Sequence, residues 1–81
     1  MKEFYFAKNS YTGNYVFYEG KKEHNRREFS AQKGIESILK DLSLDFKRKS
    51  FFYIKDLSDE EVSKIRKYLK KTKIQIEKTE D

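Results

Sequence analysis

The single histidine of the chain, His24, stands in the run Lys21-Lys22-Glu23-His24-Asn25-Arg26-Arg27. Histidine is the side chain best suited to move a proton near neutral pH, and flanking cations disfavour its charged form, which suits a general base. A small ribonuclease-type toxin is the enzyme class such a residue would serve. The sequence supplies no second group for it: no other histidine exists, and nothing marks Glu23 or Glu28 as its partner. A lone histidine among charges reads more simply as a surface residue, so the chain is read as non-enzymatic.

Metal and nucleotide chemistry find equally little. Cysteine is absent, and the carboxylates Asp56, Asp59, Glu60 and Glu61 lack the spacing and the glycine of a calcium loop. Acidic residues opening a helix have a simpler role, complementing the positive end of its dipole. The three glycines, Gly13, Gly20 and Gly34, are scattered, so no phosphate-cradling loop is present. No cofactor and no metal are expected.

Binding chemistry is better represented. Basic residues fall in three groups: Lys21, Lys22, Arg26 and Arg27; then Lys47, Arg48 and Lys49; then Lys64, Lys67 and Lys71 at helical spacing, with Arg66, Lys70 and Lys73 beside them. Lysines late in a helix are explained by its dipole and by solvation of the outer face. Arg26 and Arg27 have no such explanation, and arginine is the better bidentate phosphate ligand. Tyr5 and Tyr53, with either Tyr15 or Tyr18, supply aromatic surface that would stack bases of a single strand or anchor a protein contact. They would also serve simply as cross-strand pairs that cover one another.

These residues must be carried by a small α+β fold. Residues 3–7 alternate, with Phe4 and Phe6 on one face and Tyr5 on the other, and residues 9–14 are rich in turn formers. Residues 15–18 return as a second strand, and 26–29 are read as a short charged edge strand. Ser30 is the expected N-cap of a helix over 31–44, with Gly34 an irregularity in its first turn. Phe51-Phe52-Tyr53-Ile54 is apolar on both faces and is expected to be the central strand.

The second helix has the sharpest signature. Ser58 and Glu61 form a capping box and Leu57 with Val62 a hydrophobic staple, and the helix is expected to end near residue 70 or 71. A last strand over 72–77 and a frayed charged tail over 78–81 follow, leaving 1–77 as one domain. The order β-β-(β)-α-β-α-β predicts a mainly antiparallel sheet with two helices packed on one face. Asn14-Tyr15-Val16-Phe17-Tyr18, the basic segment, and Phe29-Ser30 leading into a helix resemble in their order the arm-binding domains of phage-type integrases. The resemblance covers about the first half of the chain, and the second α-β unit departs from it, so no family is assigned.

Composition sets the outer bounds. Charged residues make up 41% and hydrophobic ones 36% of the 81 residues, so a core depends on the 16% that are aromatic. No stretch approaches the length of a membrane helix and no cysteine is present, which reads as a cytoplasmic protein without membrane contact. A net charge of +5 favours acidic partners. The function expected is a small binding module that uses basic loops and an aromatic sheet face to contact nucleic acid or a nucleoprotein machine. The alternative is a protein-binding inhibitor or adaptor of the phage or mobile-element type, directed at an acidic or nucleic-acid-binding protein.

Overall fold

The computed structural model describes residues 2–42, 50–70 and 74–78, with Lys2 and 74–78 described by their main chain. Alternating residues at the start of the chain form β1 (Lys2–Lys8), β2 (Tyr15–Glu19) and β3 (His24–Phe29). Gly13 and Gly20 take the left-handed conformation that the two connecting turns require. After β3 come α1 (Ile35–Leu42), β4 (Ser50–Lys55), α2 (Asp59–Leu69) and β5 (Ile74–Lys78). Lys78 thus ends β5 rather than opening the tail, and the remainder of the tail lies outside the described residues.

The strands form one sheet in the order β3-β2-β1-β4-β5. β2 runs antiparallel to β1 and β3, whereas β4 runs parallel to both β1 and β5. The sheet is therefore mixed, not mainly antiparallel. Each passage through a helix carries the chain back to the end of the sheet at which the preceding strand began, so the strand that follows runs parallel to it. The middle position also belongs to β1, with the doubly apolar β4 beside it.

Cross-strand partners share a face of the sheet, and the register places Phe6 opposite both Phe17 and Ile54, and Phe4 opposite Phe52. These residues are buried in one cluster with Ile35, Ile38 and Leu39 of α1 and Val62, Ile65 and Leu69 of α2. Both helices thus cover a single face. The rings of Phe6 and Phe52 lie 5.9 Å apart and those of Phe6 and Tyr15 5.5 Å apart. Burying each such ring is worth roughly 1.5–3 kcal/mol, which is how a chain poor in aliphatics gains a core.

The two helices start differently. In α2 the Ser58 side chain accepts from the Glu61 main-chain N–H at 3.2 Å while the Glu61 carboxylate accepts from the Ser58 N–H at 3.0 Å, the expected capping box. In α1 the expected Ser30 cap is replaced by a separate turn over 30–33, in which the Lys33 N–H donates to the Ser30 carbonyl. The Ala31 N–H donates instead to Asn14 Oδ1 on the β1–β2 loop, at 3.1 Å. The first helical bond runs from the Ile38 N–H to the Gly34 carbonyl, so the helix begins four residues later than the apolar spacing suggests.

Glu61 also locks α2 onto the sheet. Its carboxylate, with the side chain only 13% exposed, accepts from the Tyr15 hydroxyl and pairs with Lys8 Nζ at 3.2 Å. Burial alone raises this carboxyl, but the hydrogen bonds from Tyr15, the Ser58 main chain and Lys8 outweigh it and hold the group at about 2. Burial, then the bond to Glu61, pushes the Tyr15 phenol up to about 12.

Candidate functional site: the helix-free face of the sheet

The alternation that sends Phe4 and Phe6 into the core sends Tyr5 and Ala7 to the other face, and the register sets Tyr5 opposite Tyr18 on β2 and Tyr53 on β4. All three tyrosines are half-buried, and among the described residues no helix covers them. Tyr15, in contrast, points into the core and is buried, which decides between the two tyrosines of β2.

The rings form a continuous stack. Tyr5 lies 5.1 Å from Tyr18 at an interplanar angle of 8°, and 4.9 Å from Tyr53 at 21°. Phe51 extends the row along β4, 6.0 Å from Tyr53. The Tyr53 hydroxyl donates to Glu3 Oε2 at 3.2 Å, which holds that end of the row. Burial by its neighbours, then the charge of Glu3, raises the pKa of the Tyr5 phenol above its ordinary value. The geometry has one chemical consequence: both faces of Tyr5 are occupied by neighbouring rings. A base has no open face of Tyr5 on which to stack, so the outward surface consists of ring edges, hydroxyls and the outer faces of the terminal rings.

Beside the row lies a depression of about 190 Å³ lined by Ala7, Val16, Tyr18, Arg26, Lys55 and Asp56, among others. Val16 is buried on this face outside the main core, so the depression has an apolar floor and a charged rim. The charges placed on the face by alternation and register are Glu3, Arg26, Glu28 and Lys55, with Glu77 of β5 at the position opposite Tyr53, so they are mixed in sign. Arg26 itself sits between two carboxylates, 3.7 Å from Glu28 and 4.0 Å from Glu23.

The predicted basic residues are not gathered onto the tyrosine face. Arg26 and Arg27 are neighbours in an extended strand and project to opposite faces; Arg27 is paired in register with core-facing Phe17 and its guanidinium lies 4.9 Å over the Phe29 ring. Lys21 and Lys22 occupy the exposed turn between β2 and β3. Lys47, Arg48 and Lys49 lie outside the described residues. On α2, Lys64, Arg66, Lys67 and Lys70 are exposed on the helix-covered side of the sheet, so the cationic helix and the tyrosine row look in opposite directions. His24 is exposed at the start of β3, opposite Glu19, where β3 carries an irregularity in its pairing.

Two members of this surface, and one exposed ring on the β1–β2 loop, escaped the sequence reading. Val16 and Lys55 join it only because β1 lies between β2 and β4, a matter of strand order. Tyr11, 98% exposed on the β1–β2 loop, has its main-chain N–H held by Asn9 Oδ1 at 2.9 Å. A bulky aromatic within a run of turn-forming residues was the available signal for it.

Among the described residues no group of His, Cys, Asp or Glu gathers as a metal site, and no helix is long and apolar enough to cross a membrane. No protein-family model, no curated protein and no solved structure matches the chain.

Proposed function

We propose that the chain is a non-enzymatic binding module whose contact surface is the helix-free face of the sheet, and that its partner on that face is a protein. The observation that carries this reading is the Tyr18–Tyr5–Tyr53 stack, half-buried and bordered by charges of both signs. Tyrosine on a rigid frame gives large contact area at low entropic cost, and mixed charges at the rim suit a polypeptide better than a polyanion. An inhibitor or adaptor built this way occupies a surface of a larger machine rather than transforming a substrate.

Nucleic acid is the second reading, favoured by the net charge of +5 and by the exposed Lys64, Arg66, Lys67 and Lys70 of α2. It requires phosphate contacts on the helix side, or on Lys21 and Lys22, in place of base stacking on Tyr5.

Capture from a lysate with and without nuclease, using the native chain and a Tyr18→Ser, Tyr53→Ser double variant, separates the two. The protein reading expects a defined polypeptide that survives nuclease and disappears with the double variant. Capture abolished by nuclease and indifferent to the tyrosines overturns it in favour of nucleic acid.

A further inference from the structure

β3 ends the sheet and pairs with β2 alone among the described strands, so its outer edge carries main-chain donors and acceptors without a strand partner. Five of its six residues, His24 to Glu28, are exposed. An edge of this kind is blunted against unwanted pairing by charge, and the charges chosen here are informative. Lys21, Lys22, Arg26 and Arg27 on the strand and its turn outweigh Glu23 and Glu28. Arg26 stands on the tyrosine side of the sheet and Arg27 on the core side, so the edge is flanked by a guanidinium on each face.

We propose that this edge accepts an extended acidic segment of another protein, added as a sixth strand beside β3. The segment's main chain pairs with β3, and two consecutive acidic residues in it, which alternate across the sheet like any neighbours in a strand, meet Arg26 on one face and Arg27 on the other. Arg26 now shares Glu23 and Glu28 at 4.0 and 3.7 Å, long contacts that a better-placed carboxylate replaces. A second copy of the chain is the competing occupant and an outcome of the test: opposed strands share a face, so antiparallel pairing centred on Arg27 sets Arg27 opposite Arg27 but Arg26 opposite Glu28. A strand with apolar or basic residues at those positions gains nothing from either arginine. Arg26 also borders the tyrosine face, so main-chain pairing along the outer edge of β3, read by the N-methylated peptides, is what separates this proposal from the one above.

The test uses the full chain and a blocked peptide of sequence Thr-Val-Glu-Glu-Val-Thr, with binding followed by NMR shifts of the β3 amides. Strand addition predicts that replacing the central glutamates by lysines weakens binding about tenfold or more, the scale set by ~1.4 kcal/mol of lost pairing. Arg26→Glu is expected to weaken the acidic peptide by a similar factor and to restore part of the affinity for the lysine peptide. This exposed position avoids the packing of Arg27 on Phe29, so loss of fold does not confound the result. Two further peptides, N-methylated on alternate residues, separate main-chain pairing from general charge attraction: one series should lose binding and the other keep it. Equal retention by both methylated series, equal binding of the lysine peptide, or shifts confined to residues away from β3 overturns the proposal. Self-association of the chain through β3, seen as protection of the same amides rising with protein concentration, overturns it as well.

Discussion

Glu61 ties α2 to the sheet through a single carboxylate. One carboxylate caps α2 through Ser58, accepts from the Tyr15 hydroxyl and pairs with Lys8, so a helix, two strands and a loop meet at it. Its folded value of about 2 lies below the ordinary 4.5, so the stabilisation it brings is complete above pH 4.5 and is lost as pH falls from there towards 2. Between pH 7 and pH 3 the loss amounts to about 2 kcal/mol, to be read from urea unfolding at those two pH values. At the alkaline end the raised Tyr15 phenol costs stability as pH climbs from 10 to 12, because only the unfolded chain ionises freely. Tyr15→Phe should destabilise by about 1–3 kcal/mol at pH 7 and flatten the acid limb, since it removes one of the hydrogen bonds that hold Glu61 charged. Ser58→Ala should cost about 1 kcal/mol, measured the same way. The capping box was plain in the sequence, because its partners are three residues apart. Its further bonds to Tyr15 and Lys8 were not, because they span 46 and 53 residues and depend on where α2 lands.

At the scale of elements, α1 is the weaker helix, only eight residues long and begun by Gly34 without a side-chain cap. A Cβ at Gly34 would meet nothing within 4 Å, and its φ is not in the left-handed range. Gly34→Asp should therefore stabilise α1 by a few tenths to about 1 kcal/mol, by capping and by complementing the dipole, visible as a raised urea midpoint. Gly20, at φ +68 in the β2–β3 turn, should behave in the opposite sense: Gly20→Ala is expected to cost about 1 kcal/mol although no atom obstructs the new methyl. The kind of each described element was legible from periodicity and capping except for β3, whose charges alone suggested an edge strand. The start of α1 was not, because Ser30 closes a separate turn with Lys33 and the Ala31 N–H is tied to Asn14 Oδ1 on a distant loop, a contact set by tertiary placement. β3 also runs two residues further back than its apolar end suggests, since its pairing with β2, irregular near Glu19, continues to His24.

For the whole molecule, the separation of the tyrosine row from the cationic helix is what bears on function. Capture of a protein through the tyrosine face should depend only weakly on salt between about 50 and 200 mM, whereas binding through several phosphates would fall by orders of magnitude over that range. Replacing Lys64, Lys67 and Lys70 together by Gln should leave such capture unchanged, and Tyr11→Ala should alter stability by less than about 0.5 kcal/mol because its ring is in solvent. Local order, charge, the alternation that parts Tyr5 from Phe6, and the absence of thiol chemistry follow from the sequence by itself, since each depends on neighbours a few residues apart. Which tyrosines share a surface, that their faces cover one another, that Arg26 and Arg27 part company, and that the lysines of α2 look away from them were settled only by strand order and register. Those are properties of segments far apart in the chain, fixed by which way each returns after a helix and by which rings fill the core.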